Sequence, residues 1–580
     1  MPDPRPNHLT WRLFLLSGLV FVALILLIGR LAVIQILDHD RYVEEAANTH
    51  AGIATLPAPR GAILDTTGLP LATSEDTWDI YIDRRLWRDR IQAAEAANRL
   101  GAALGLNGQS LLEQGTAQDT GDVLVQRQLP YEAGVQLQDQ ELWGVRLLPS
   151  ARRIYPEGSL ASSIVGFVGL EGAGLWGIEA DFDGVLRGKP GLIGSERDAL
   201  GRPISFSGRT EKEPVSGGDV TLTIDRFIQT IVEQRLQAAI KQYNARGGSI
   251  VVMDPFTGAV LAMASAPAIG QSGIDLNDPR LNEEVRNRAI TDLYEPGSVV
   301  KTLTTAAAID LGRVTPESTY VDTGEVVVGE DRIKNWDFSA NGPTTVRQYL
   351  QKSLNTGSVW LSQLIGANDL YRYLHAFGLG EPTHIGLAGE AEGLIRQPSD
   401  TEWSPIDLAT NSYGQGFAAT PIQMLAAINV FANGGKLMRP YLVSRVSNGD
   451  DVRAFKPVEV RRPVSEQTAK TMGRLMYDVV EGVDYHGARV AGYDVAGKTG
   501  TTLVSIPTGY DLESTIASFA GFLPYEQPRV SILVKIDQPS GGLNLGGQVA
   551  APVFAKVAAD IMKYLNVPAS QPGELQVAAQ

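Results

Sequence analysis

One apolar run near the start constrains this chain more than any other feature. From Leu13 to Ile28 no residue is charged, and Leu31 to Leu37 is again apolar apart from Gln35. A helix over this span is long enough to cross a bilayer core, which takes about 20 residues. Arg30 can reach one interface along its aliphatic stem. A cleaved signal peptide calls for a small-x-small site after the run, and Gly29-Arg30-Leu31 does not supply one. A buried soluble helix fits the position and polarity profile poorly. The expectation is therefore a short polar tail at 1–12 and an uncleaved transmembrane signal anchor at 13–37. Positive charges do not set the orientation, because Arg5 and Arg12 on one side face Arg30 and Arg41 on the other.

The remainder is too long for one ordinary core. At 580 residues, with 44% hydrophobic and 20% charged side chains, it reads as two or three globular domains. A net charge of -15 offers no basic stripe to track phosphates, which argues against nucleic acid as a partner. The absence of cysteine excludes disulfides, thiolate catalysis and Cys-based zinc sites. His8, His39, His50, His375, His384 and His486 are scattered, with no His-Glu-x-x-His pattern, so a zinc hydrolase has little support. No metal or cofactor is expected.

Asp38 to about Ala54 reads as an amphipathic helix. Pro59 to Ala72 is strand-turn-strand language, and Leu86 to Leu104 is an Ala-rich helix. Glycine-rich turns follow as far as Gly188. No convergent catalytic set stands out here, so 38–213 is expected to be a non-catalytic mixed α+β pedestal. The polar, Gly-rich stretch Glu211 to Asp219 marks a boundary. Beyond it, 214–567 is expected to form a second domain. A strand at Val220–Asp225 leads to a helix at Gln229–Tyr243. Two apolar runs around Pro255-Phe256-Thr257-Gly258 make a hairpin. Ile516–Phe522 and Arg529–Ile536 make a second pair of strands. Strands at both ends of one domain with helices between them imply an antiparallel sheet flanked by helices, an α+β fold. The stretch 568–580 reads as a flexible tail.

Chemistry concentrates in three short motifs. In Tyr294-Glu295-Pro296-Gly297-Ser298-Val299-Val300-Lys301 a helix opens at or near Ser298, so Ser298 and Lys301 share a face at i, i+3. A serine hydroxyl is a poor nucleophile until its proton is taken. A lysine takes it only if burial or a second cation lowers its pKa. Alone, such a pair reads first as a helix cap beside a surface lysine. Ser353-Leu354-Asn355 follows a helical segment, Val346 to Lys352, and alone it reads as a cap. Lys498-Thr499-Gly500-Thr501 occurs once, with glycines that suit close approach by a substrate and an ammonium with hydroxyls that suits a carboxylate. The three motifs in this order carry far more than any one of them.

With these motifs the chain resembles a class B penicillin-binding protein, a monofunctional peptidoglycan D,D-transpeptidase. The likeness extends to Arg60-Gly61, Gly177-Ile178-Glu179, Leu222-Thr223-Ile224-Asp225, Asn287-Arg288-Ala289 and Tyr413-Gly414-Gln415-Gly416. Thr66 departs from the pattern, where the family usually has arginine. The resemblance implies a penicillin-binding, serine β-lactamase-like catalytic domain at 214–567 and a dimerisation-type pedestal at 38–213. It implies Ser298 as nucleophile, Lys301 as its base and Ser353 as proton relay to the leaving amine. Asn355 would bind Lys301 and the substrate amide. Lys498, with Thr499, Gly500 and Thr501, would hold the donor carboxylate. Implied partners are peptidoglycan stem peptides, β-lactam antibiotics, a polytopic membrane glycosyltransferase and other cell-wall synthesis proteins. The implied setting is the bacterial plasma membrane, single-pass, with an extracytoplasmic catalytic domain and a septal role favoured over elongation. A D,D-carboxypeptidase, an anchored serine β-lactamase and a non-catalytic scaffold stay open as alternatives. Against the second, no Glu-x-x-Leu-Asn lies between Ser353 and Lys498.

Overall fold

The computed structural model describes residues 8–38, 51–196, 209–271, 274–483, 487–506 and 509–570. Most of the expected end tails and of the helix expected after the anchor therefore lie outside the described residues. Helix α1 (His8–Ala32) runs on into a π turn at Val33–Leu37. The span Trp11–Ile36 is the one helix among the described residues long and apolar enough to cross a membrane. The helix expected over Asp38–Ala54 is corrected at its far end. Ala51–Leu56 is a strand, paired antiparallel with Gly191–Glu196. Gly52 is a poor helix former, and β-branched Ile53 and Thr55 suit a ladder.

Packing divides the chain into two compact units. The first takes the residues up to Pro59 together with Asp76–Arg152 and Lys189–Val215. In it, Thr77–Asp83 pairs antiparallel with Asp122–Pro130. Helices Arg90–Leu104 and Gly108–Thr116 contribute Ala96, Ala97, Leu100 and Leu111 to a core with Ile80 and Ile82. Trp87 is fully buried at its centre, and its indole N–H donates to Trp143 O at 2.8 Å. That bond satisfies the one polar atom of the largest core side chain.

The second unit takes Arg60–Glu75, Arg153–Gly188 and the chain from Ser216 onward. Two segments of the expected pedestal thus pack with the region that carries the three motifs. A buried ion cluster joins these two segments to each other, and the Asp65–Arg226 pair joins them to the chain beyond Ser216. Arg60 Nε sits 2.6 Å from Glu179 Oε2, and Arg60 Nη1 sits 2.7 Å from Asp183 Oδ1. Arg153 Nε sits 2.6 Å from Glu179 Oε1. Nearby, Arg226 Nε is 2.6 Å from Asp65 Oδ2. Burial raises the Asp65 carboxyl, but hydrogen bonds from Thr67, Arg226 and Leu69 outweigh it and hold the pKa below its ordinary value. Breaking a buried pair strands a charge. Arg60→Glu leaves Glu179 facing a second carboxylate, and we expect it to destabilise this unit by about 3–5 kcal/mol in denaturant titration. A wild-type midpoint for that variant would remove the cluster from its structural role.

Five strands build the main sheet of the second unit: β1 (Gly247–Met253), β2 (Val260–Ala266), β3 (Ala496–Ile506), β4 (Gly509–Leu523) and β5 (Val530–Asp537). All pairs are antiparallel, in the order β2-β1-β5-β4-β3. Side chains alternate between its faces with the strand period of two. Val251, Met253 and Leu533 enter one core, while Ile250, Val252, Ile532 and Val534 enter the other. Helix α2 (Arg226–Gln242), capped by Asp225, contributes Val232 and Leu236 to the second core. Helix α3 (Lys301–Asp310) contributes Leu303 and Ala306 to the first. Helix α4 (Ala550–Tyr564) adds Phe554 and Ile561 to the second. Both faces are covered, which is why β1 and β5 are buried throughout. Among the described residues no strand pairs with the outer side of β3, so the strand bearing Lys498 is an edge.

Candidate active site

Ser298 sits in a 3-10 turn, Gly297–Val299, and Lys301 is the first residue of α3. The turn is held from two sides. Gly297 N–H donates to Gly414 O at 2.9 Å, and Thr502 Oγ1 donates to Glu295 O at 3.0 Å. Gly297 has φ +59, and a Cβ there would lie 2.7 Å from Thr502 Cγ2. At Gly500 on β3 a Cβ would lie 2.5 Å from both Pro296 O and Ser518 Oγ. Glycine at these two positions lets the edge strand press against the nucleophile turn.

Ser353 ends the helix Val346–Lys352, which opens with a Thr345–Gln348 capping box. Its φ is +56, a left-handed conformation that a serine adopts at some cost. This geometry delivers Ser353 to a position between two lysines. Lys301 Nζ lies 2.6 Å from Ser353 O, 3.3 Å from Ser353 Oγ and 2.8 Å from Asn355 Oδ1. Lys498 Nζ lies 3.0 Å from the same Ser353 Oγ and 3.3 Å from Thr499 Oγ1. Lys301 is fully buried and Lys498 is 1% exposed. Ser298, Ser353, Asn355, Thr499 and Thr501 are half-buried. Thr501 Oγ1 accepts the Gly546 N–H at 2.9 Å, which leaves its own hydroxyl hydrogen free to donate.

Two ammonium groups on one hydroxyl in a dry site repel each other. Burial, and then the Lys498 charge, push the Lys301 pKa well below its ordinary value. Burial alone pushes Lys498 down to about 7. Both effects favour the neutral amine at Lys301. A neutral amine has two N–H groups and one lone pair. Its two shortest contacts, to Ser353 O and Asn355 Oδ1, accept those two hydrogens. The lone pair is then free to accept a hydroxyl proton.

Of the eight residues singled out from the sequence, Lys301, Ser353, Asn355, Lys498 and Thr499 meet in this cluster, Gly500 and Thr501 continue the edge strand, and Ser298 stands in the turn just before Lys301. Other contributors support the cluster from around it. Asn335 Oδ1 accepts the N–H groups of Asn355 at 3.0 Å and Thr356 at 3.2 Å. Asn335 Nδ2 donates to both oxygens of buried Asp322, at 3.0 and 3.1 Å. Asn355 Nδ2 donates to Lys334 O at 2.8 Å, which uses one of its two hydrogens. Tyr349 OH reaches Thr305 Oγ1 at 2.6 Å and Lys301 O at 3.3 Å, tying the helix before Ser353 to α3. Glu295 Oε1 accepts from Tyr510 OH at 2.8 Å and Gly416 N at 3.1 Å. Of these, Glu295 stands in the stretch around Ser298 and Gly416 in the Tyr413–Gly416 stretch, whereas Asn335, Asp322 and Tyr510 gave no sequence signal.

The geometry can be set beside known proteins. The family model of the penicillin binding protein transpeptidase domain matches residues 248–559, and that of the penicillin-binding protein dimerisation domain matches residues 55–222. The chain belongs to the penicillin-binding protein transpeptidase family. Peptidoglycan D,D-transpeptidase FtsI of Escherichia coli (strain K12) is 31% identical over 97% of this chain and 94% of its own length. Stage V sporulation protein D of Bacillus subtilis (strain 168) is 30% identical over 97% of this chain and 87% of its own. Among solved structures, penicillin binding protein 3 of Mycobacterium tuberculosis complexed with aztreonam superposes with a TM-score of 0.69 at 28% identity, over 90% of this chain and 99% of that one. The fold is that of a penicillin-binding protein: an apolar N-terminal helix, a dimerisation-type region, and a transpeptidase domain with its sheet between helices. In this penicillin-binding protein, segments matched by the dimerisation model contribute the Arg60–Glu179 cluster to the unit that holds the site.

Proposed function

We propose that this chain is a serine-type peptidoglycan D,D-transpeptidase that cross-links stem peptides and is a target of β-lactams. The observation that carries the reading is the Lys301–Ser353–Lys498 bridge, with both lysines buried and both pKa values lowered by that burial. Ser298 Oγ attacks the carbonyl between the two terminal D-Ala residues of a donor peptide while its proton passes to Lys301 Nζ. Negative charge gathers on the carbonyl oxygen, which the backbone N–H groups of Ser298 and Thr501 stabilise. The C–N bond breaks, and the leaving amine takes a proton relayed through the Ser353 hydroxyl. The donor is now an ester on Ser298. An acceptor amine attacks that ester, gives its proton to the Lys301 side, and releases Ser298 as the cross-link amide forms. Lys498, with Thr499 and Thr501 on the open edge of β3, holds the donor carboxylate, and Asn355 binds the substrate amide. β-Lactams enter as donor mimics and acylate Ser298.

The α1 helix anchors the chain in the plasma membrane with the catalytic unit outside, where peptidoglycan is assembled. We infer a polytopic membrane glycosyltransferase as partner and a septal role, the latter supported by the likeness of Tyr294–Lys301 to division-type members. Fluorescent penicillin tests the activity. Wild-type protein is expected to carry a long-lived label that Ser298→Ala lacks. Rapid turnover of the label points to a β-lactamase, and an unlabelled wild type points to a scaffold; either result overturns the reading.

A further inference from the structure

Beside the Ser353–Asn355 motif lies a loop whose aromatic side chains face outward. Trp336 is 50% exposed and Phe338 is 78% exposed. Asn335 is the loop's buried polar side chain, while Asp337 is exposed and bonded within the loop. Asn335 is buried on Asp322, with its Nδ2 also donating to Ser339 O at 3.0 Å. Asp337 accepts from Ser339 N at 3.1 Å and Ser339 Oγ at 2.8 Å. Asn341 donates to Asp322 Oδ2 at 2.7 Å and accepts from Lys352 Nζ at 2.8 Å. The Trp336 indole N–H donates to Lys352 O at 3.0 Å, one residue before Ser353. The loop is thus tied at Asn335 to Asn355 and at Trp336 to the residue before Ser353.

Two features of this loop oppose stability. Phe338 holds φ +58, a left-handed conformation that a bulky residue rarely adopts. Its ring, with that of Trp336, is left against water. Strain of this kind persists where surrounding structure holds it, and it points to use. Resting on the transpeptidase reading, we propose that Trp336 and Phe338 form a stacking platform for a sugar ring of the substrate's glycan chain, beside the Ser353–Asn355 segment. Peptide recognition has its own surface. The open backbone of β3 and the ammonium and hydroxyls of Lys498–Thr501 supply the hydrogen bonds and charge that a peptide with a terminal carboxylate requires. A pinned indole face and a phenyl ring have no such groups. They suit the flat, uncharged face of a pyranose, the part of peptidoglycan that the sheet edge does not read.

The test compares two donors on the full-length protein in detergent. One is a free stem peptide ending in D-Ala-D-Ala, and the other is the same peptide on its N-acetylglucosamine–N-acetylmuramic acid disaccharide. Wild type is expected to favour the disaccharide donor in kcat/KM by about tenfold, a preference that Trp336→Ala/Phe338→Ala loses. Phe338→Gly relieves the left-handed strain. It should melt no lower than wild type yet lose part of the preference, an effect that a merely structural role would not produce. Trp336→Phe should retain most of it. Three outcomes overturn the proposal: no wild-type preference, an equal fall with both donors, or a preference that survives the double variant. The last would leave the platform to a protein partner. Penicillin labelling of wild type separates these from failure of the transpeptidase reading itself, since it requires no glycan.

Discussion

Lys301→Arg is expected to lower the second-order rate constant of penicillin acylation by about 10³-fold, within the range for loss of a positioned general base. The argument rests on protonation. Lys301 is fully buried, and its pKa is driven down first by desolvation and then by Lys498. A guanidinium does not release its proton in that setting, so Arg at this position has no lone pair for the Ser298 hydroxyl. It also places a permanent charge near Lys498, and a modest loss of thermal stability is expected. Lys301→Gln serves as control, since it carries neither the charge nor the basic nitrogen and should lose acylation to a similar degree. Circular dichroism melting establishes that each variant is folded. A folded Lys301→Arg or Lys301→Gln protein acylated at close to the wild-type rate would remove Lys301 from the base role.

Lys498→Ala is expected to weaken acylation by carboxylate-bearing β-lactams by about 100-fold, the effect of removing a hydrogen bond to a charged group. Its pH dependence is the more telling readout. Below its depressed pKa, Lys301 carries a proton and accepts no other, so wild-type acylation falls as pH falls through that value. In the empty site Lys498 titrates at about 7 and loses its charge as pH rises through it, which weakens carboxylate binding. The profile of the acylation rate constant is therefore bell-shaped. Because a bound carboxylate stabilises the Lys498 ammonium, the alkaline limb moves to higher pH at saturating ligand. In Lys498→Ala the alkaline limb disappears. The acid limb moves up, because the cation that helped depress Lys301 is gone. An unchanged acid limb in that variant would show that the two lysines are not electrostatically coupled.

Sequence by itself determined what local spacing can carry. The uncharged run from Leu13 to Ile28 dictates an apolar helix, and Ser298 and Lys301 at i, i+3 share a face in any helical turn. Apolar runs broken by turns in Gly248–Ala264 and Ile516–Ile536 read as paired strands, and both pairs lie in the one antiparallel sheet. Only tertiary structure decided how the motifs combine. Ser353 and Lys498 are far apart in the chain, and their 3.0 Å contact depends on a left-handed serine at a helix end and on an edge strand pressed against the nucleophile turn through Gly500. The pKa of Lys301 is likewise a property of the closed site, since desolvation exists only after folding. Asn335 gave no sequence signal, because an asparagine before an exposed tryptophan reads as an ordinary loop. Its role comes from Asp322, Asn355 and Thr356 meeting around it. Arg60 and Arg153 lie in the expected pedestal, and Glu179, buried between them, makes them internal to the unit that holds the site. Long-range charge pairing has no period along the chain, so no reading of spacing reaches it.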